Sequence, residues 1–204
     1  TNLQEEEENG EVTATRIPHL RFSHMGLCTN DLSKMEAFYT KVLGFTVTDR
    51  GEALGVDLVF LSRDPRDHHQ IVLGTGRPSD LPGNTANPMF GPCINQISFA
   101  LGSLKELRQM DAHLKVASPD IEPIYANHGT AWSIYFHDPE GNFIETFVDT
   151  EWYCEQPVFE PLDLAASDED ILEATKALAE SGRNFQPADL WRAAIAVKMN
   201  QRAA

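Results

Sequence analysis

Hydrophobic and polar positions alternate between two periods along most of the chain. Phe22 to Thr29 is a short apolar stretch that predicts a strand. Asp31 suits an N-cap, and Leu32, Met35, Tyr39 and Val42/Leu43 recur at helical spacing as far as Gly44, a residue suited to end a helix. Phe45 to Asp49, Asp57 to Ser62 and His69 to Leu73 predict three further strands. Residues 74–92 are rich in Gly and Pro and carry no period, as expected of a linker or long loop. The pattern then returns. Ile94 to Leu101 predicts a strand, and Ser103 with Glu106 forms a capping box for a stripe of Leu104, Leu107, Met110 and Leu114. Ile121 to Tyr125, Ala131 to Phe136 and Asn142 to Val148 predict three more strands. Asp138-Pro139-Glu140-Gly141 is the turn between the last two.

The two passages are an internal repeat. A shift of 72 residues carries His24 onto Gln96, Asp31 onto Ser103, Leu32 onto Leu104, Met35 onto Leu107 and Leu73 onto Glu145. Each copy reads β-α-β-β-β. A curved four-stranded sheet of that size cannot cover both its faces alone. The expected fold is therefore α+β, with paired βαβββ modules forming a curved mixed sheet around a metal-binding cavity. The expected organisation is an acidic disordered leader over 1–16, a paired-module domain over 17–150 (modules 20–75 and 92–150), and an acidic, helical extension over 151–204.

In that extension Ser167 and Asp170 can cap a helix bearing Ile171, Leu172, Thr175 and Leu178, ended by Gly182. Pro187 suits the first position of a second helix bearing Leu190, Trp191, Ala194 and Val197. These stripes predict burial of Leu172, Leu178, Leu190 and Trp191 against the sheets' helices or a second subunit, hence a homo-oligomer.

The formal net charge of −15 disfavours nucleic acid or an anionic membrane as partner. Residues 1–15 hold five acids and no base, and residues 149–175 hold nine acids and no base. The acidity therefore belongs to leader and tail and says little about a substrate. No apolar run approaches the ~18 residues of a membrane span. The acidic N-terminus is the reverse of a secretory signal. Cys28, Cys93 and Cys154 show no CxxC spacing, so free thiols in a reducing cytoplasm are expected.

The repeat places three metal-competent side chains at related positions: His24 and Gln96 on the two first strands, and Glu145 on the final one. An imidazole, a carboxylate and a third neutral donor make half of a six-coordinate shell, leaving adjacent sites for water, substrate and oxygen.

The segments SHMGLCTNDLSKMEAFYTKVLGF, DHHQIVLGTGR, INQISFAL and NHGTAWSIYFHDPEGNFIETF resemble the vicinal oxygen chelate superfamily, and within it small type I extradiol ring-cleaving dioxygenases. The resemblance implies a metal site of two His and one Glu, matched by His24 and Glu145, with Gln96 where the second His is expected. It implies proton-handling or substrate-holding roles for His69, His128 and Tyr135. The implied activity is cleavage of a catechol-like aromatic with O2, with Fe(II) as cofactor and Mn, Ni and Zn as alternatives. The other readings are a glyoxalase-like lyase or isomerase, which wants a fourth ligand at the position of Leu73, and a non-catalytic binder of small molecules.

Overall fold

Eleven strands and four helices form in the computed structural model, which describes residues 21–81 and 94–202. The leader 1–16, most of the Pro/Gly-rich segment and Cys93 lie outside the described residues. The first module runs β1 (Met25–Thr29), α1 (Leu32–Lys41), β2 (Thr46–Ala53), β3 (Val56–Ser62) and β4 (Ile71–Thr75). The second runs β5 (Ile97–Ala100), α2 (Leu104–Ala117), β6 (Ile124–Asn127), β7 (Ala131–His137) and β8 (Phe143–Asp149). Then follow β9 (Trp152–Tyr153), β10 (Glu160–Pro161), α3 (Asp168–Ser181), β11 (Gln186–Pro187) and α4 (Ala188–Arg202). The three two-residue strands of the extension leave no periodic signal and were not expected from the sequence.

The repeat holds in the topology. The first sheet has the order β1-β4-β3-β2, and the second has β5-β8-β7-β6 with β10 added at the edge. In each module the first and last strands pair parallel and the remaining pairs are antiparallel. The two ladders stay separate among the described residues and are joined through side chains.

Register corrects one detail. Gly26 lies opposite Val72 in the first sheet, and Ser98 lies opposite Glu145 in the second. Val72 also faces Phe60, as Glu145 faces Tyr135. The counterpart of Glu145 is therefore Val72, one position before the Leu73 expected from a constant shift. The span from first to last strand differs by one residue between modules, Gly26 to Val72 against Ser98 to Glu145, and a one-residue slip turns a side chain to the opposite face. Leu73 accordingly sits fully buried in the core.

That core is shared. Met35, Phe38 and Tyr39 of α1, Leu107 and Leu114 of α2, Leu61 and Leu73 of the first sheet, and Ile134, Phe136 and Ile144 of the second belong to one cluster. Phe38 meets Phe136 at 6.4 Å between ring centroids, and Phe45 meets Phe99 at 5.7 Å. Polar contacts tie the same seam. Asp31 caps α1 through the N–H of Lys34, but the first turn of α1 holds no acid of its own. Glu140, from the turn between β7 and β8, supplies it: its Oε1 accepts the N–H groups of Asn30 and Asp31 at 2.7 and 2.8 Å. Its Oε2 accepts from Arg77 at 3.0 Å. A carboxylate at a helix N-terminus is favourable because the unsatisfied N–H groups and the helix dipole both point positive charge at it. In the second module Glu106 does the local equivalent, accepting from the N–H of Gly102 while Ser103 accepts from Glu106 N–H. Asp138 of the same turn is buried, takes hydrogen bonds from Asn142, Glu140 and Tyr39, and is a structural residue, as its turn position predicts.

The extension packs on the second sheet through α3, with Ile171 and Thr175 of the expected stripe inward but Leu172 outward. Ile171, Thr175 and Ala179 are the buried positions, whereas Leu172 and Leu190 are exposed and Leu178 and Trp191 are half-buried. The reason is polar: the Thr175 hydroxyl accepts from Asn127 at 2.8 Å and from the Trp132 indole at 2.7 Å, and donates to Ile171 C=O. Those donors orient the helix with Thr175 inward.

Two substitutions and one control test these ties. Glu140→Ala leaves two backbone N–H groups without their acceptor and Arg77 with only the residue-140 main-chain carbonyl, and is expected to lower unfolding stability by roughly 3 kcal/mol in denaturant titration. Lys176→Ala, which breaks an exposed i,i+4 pair, is expected to change it by less than about 0.5 kcal/mol. Thr175→Val strands two buried donors and is expected to cost roughly 2 kcal/mol or more in the same measurement.

Candidate metal centre and proton-handling residues

Alternation along the strands sends Ser98 of β5, Ser133 and Tyr135 of β7, and Glu145 of β8 to one face of the second sheet. Gln96 lies one residue ahead of β5 and reaches the same place. Glu145 is 7% exposed. Its Oε1 accepts from the Ser133 hydroxyl at 2.7 Å. Its Oε2 accepts from the Gln96 amide at 2.5 Å and from the Ser98 hydroxyl at 2.6 Å. Among the described residues no Lys, Arg or His pairs with it. A buried carboxylate surrounded only by neutral donors is incompletely compensated, because hydroxyl and amide dipoles offset less of its desolvation than a cation does. The donor types suit a divalent cation: a carboxylate beside a side-chain amide. The Gln96 Nε2 is the atom turned toward Glu145, so coordination by Gln96 requires its amide oxygen to take that place.

The first sheet presents a separate group. His24 lies one residue ahead of β1 and is exposed. Its ring lies 4.3 Å from that of His69, which in turn stands edge-on to Phe60 at 5.1 Å. His68 Nδ1 lies 2.9 Å from His69 Nδ1, so the adjacent histidines face each other instead of splitting to opposite sides. Burial pushes the His69 imidazole below its usual value, and nearby His24 and His68 act in the same direction. No hydrogen bond or ring contact joins the His24–His69 pair to the Gln96–Glu145 pair. Among the described residues, no three His, Cys, Asp or Glu side chains are grouped to hold a metal. A cavity of about 790 Å3 opens beside Gln96 and Ser98 and is lined across the seam by Ser23, Met25, Phe45 and Arg63.

His128 and Tyr135 meet directly, with Nε2 3.0 Å from the phenol oxygen. The Tyr135 ring stacks on Phe143 at 5.0 Å and 7°. Burial, and then the neighbouring Glu145 carboxylate, hold the Tyr135 phenol well above its ordinary value, so it stays a hydroxyl donor. Three further residues complete this corner: Gln156, Val158 and Phe159. All lie in the extension, and nothing in their spacing marks them. His113, on a helix face, bonds to the carbonyls of Lys41 and Val42 and serves the packing of α2 on α1.

A model of the Glyoxalase/Bleomycin resistance protein/Dioxygenase superfamily matches residues 21–146. The chain belongs to this superfamily. Two relatives from Rhodococcus globerulus, biphenyl-2,3-diol 1,2-dioxygenase 3 and biphenyl-2,3-diol 1,2-dioxygenase 2, are 31% and 30% identical over 134 and 130 residues. Each match covers 63% of this chain and 63% of the relative, so the chain spans less than two thirds of their length. A crystal structure of a glyoxylase/bleomycin resistance protein/dioxygenase domain from Frankia sp. EAN1pec is 21% identical with a TM-score of 0.54, covering 66% of this chain and 95% of that one. It shows the superfamily fold. No helix among the described residues is long and apolar enough to cross a membrane.

Proposed function

We propose that this chain is a metal-dependent dioxygenase of the extradiol type, acting on a catechol-like aromatic with O2. The observation that carries the reading is the buried Glu145 carboxylate, held by three neutral donors with the Gln96 amide against it. The likeness to two aromatic-diol dioxygenases supports the substrate class. Glu145 and Gln96 would hold the ion, with His24 of the separate first-sheet group as the third ligand that the resemblance implies and Fe(II) as the metal it implies. When bound, Fe(II) supplies a site where adjacent hydroxyl oxygens chelate and electrons pass to O2.

The protein's own residues account for the rest. His128 Nε2 and the Tyr135 hydroxyl form a donor–acceptor pair beside Glu145, suited to holding a substrate oxygen and moving its proton. His69, its imidazole kept toward the neutral form, is suited to accepting a proton on the opposite side. Phe143 and Phe159 supply aromatic walls around Tyr135. Val72, the register counterpart of Glu145, cannot coordinate, which disfavours a glyoxalase-type site with four protein ligands. The exposed Leu190, Val197 and Met199 on α4 support a homo-oligomer, and the free thiols of Cys28 and Cys154 support a reducing, cytoplasmic setting.

Anaerobic metal analysis with catechol-dependent O2 uptake tests the reading. One equivalent of iron and ring cleavage are expected; no metal and no uptake would overturn it. Added Fe(II) at about 100 times its Kd is expected to stabilise the wild type by about 2.7 kcal/mol, and Glu145→Ala not at all. Gln96→His is expected to bind iron about 10–100-fold more tightly in direct titration, since imidazole is the better ligand for Fe(II). His128→Ala is expected to lose ~10²–10⁴-fold in turnover while retaining its iron, compared by metal content and ring-cleavage rate.

A further inference from the structure

His128 sits inside the superfamily match, yet the groups that hold its ring and main chain from the other side lie beyond it. Its Nδ1 is 2.6 Å from the Val158 carbonyl oxygen. A carbonyl oxygen only accepts, so Nδ1 carries the hydrogen in this contact. The neutral ring then presents Nε2 as an unprotonated acceptor to the Tyr135 hydroxyl, 3.0 Å away. One main-chain carbonyl, 30 residues along the chain, therefore selects the tautomer of the proposed proton-handling residue.

One side chain ties the strap that bears this carbonyl directly to the main chain of His128. The Gln156 Nε2 donates to the His128 carbonyl at 2.9 Å and to the Cys154 carbonyl at 3.3 Å. The Gln156 Oε1 accepts the Val158 N–H at 3.0 Å. The same amide thus grips the main chain of His128 with one end and that of Val158 with the other. The approach depends on Gly129, at φ +70°, where a Cβ would lie 2.9 Å from the Cys154 sulfur and 3.4 Å from the Ala179 Cα. Phe159, the next residue after Val158, stands edge-on to His128 at 5.4 Å and stacks on Tyr135 at 6.0 Å and 28°. Gln156 itself is exposed and lies outside the core, so its contacts serve the placement of this strap more than the packing of the domain.

We propose that Gln156 is a positioning residue for His128. By fixing the Val158 carbonyl on Nδ1, it keeps neutral His128 in the Nδ1–H form, with the Nε2 lone pair aimed at Tyr135. The proposal rests on the reading of His128 as the proton-handling group. It also bears on the tail: a chain cut after residue 155 would lose the partner of His128, so the extension and the site are not independent.

The test is 15N nuclear magnetic resonance of histidine-labelled full-length protein, with the His128 signal assigned by its loss in His128→Ala. The wild type is expected to show the Nδ1–H tautomer. Gln156→Leu is expected to shift His128 to a mixture or to the Nε2–H form, with iron content and melting temperature close to wild type. Ring-cleavage kcat is expected to fall about 10–100-fold. A Gln156→Leu protein that keeps the wild-type tautomer would overturn the proposal, as would a wild type in the Nε2–H form. The tautomer is read without turnover. A wild type that cleaves no catechol would thus count against the dioxygenase reading, while the spectrum still decides the role of Gln156.

Discussion

A single helix on a four-stranded sheet leaves apolar surface that the module cannot cover by itself, and that constraint organises everything else here. The solution is to share: α1 gives Phe38 to Phe136 of the second sheet, and Phe45 meets Phe99 of β5. Once the modules are pressed together, the polar groups at the seam need partners, and Glu140 provides them. Its carboxylate caps a helix of the other module and pairs with Arg77, so the turn that reverses the chain between β7 and β8 also sets the position of α1.

The candidate site lies on the sheet faces turned away from that core. There the second sheet gathers Ser98, Ser133, Tyr135 and Glu145 by strand alternation alone, while the first carries Gly26, Phe60 and Val72 at the same register positions. The two modules therefore carry different residues where the second gathers its polar groups. One retains a carboxylate with a shell of hydroxyl and amide donors. The other keeps His24 and His69 at its mouth and apolar groups behind them. Among the described residues Glu145 is buried without a cationic partner, its carboxylate met by hydroxyl and amide donors.

The extension contributes in two ways. Through Thr175 it satisfies Asn127 and the Trp132 indole, groups that the second sheet would otherwise bury unpaired. Through Gln156, Val158 and Phe159 it closes over His128 and Tyr135. A segment outside the superfamily match thus shapes the corner where proton transfer is proposed.

Much of this was legible in the chain itself. Caps, stripes and turns are local, so Asp31, Ser103, Ser167 and the Asp138–Gly141 turn could be read from neighbours a few residues away. The repeat made the βαβββ order and the pairing of Gln96 with Glu145 foreseeable. What local pattern does not carry is register and long-range polar contact. A constant shift of 72 pointed to Leu73, but ladder geometry makes Val72 the counterpart of Glu145, because pairing is set between strands and not along the chain. The buried face of α3 was decided by Thr175 meeting two donors on the sheet, against the greater hydrophobicity of Leu172. The bond from His128 to a backbone carbonyl at residue 158 leaves no trace in residue identity, since every residue has such a carbonyl. Only the tertiary structure brings that one to the ring.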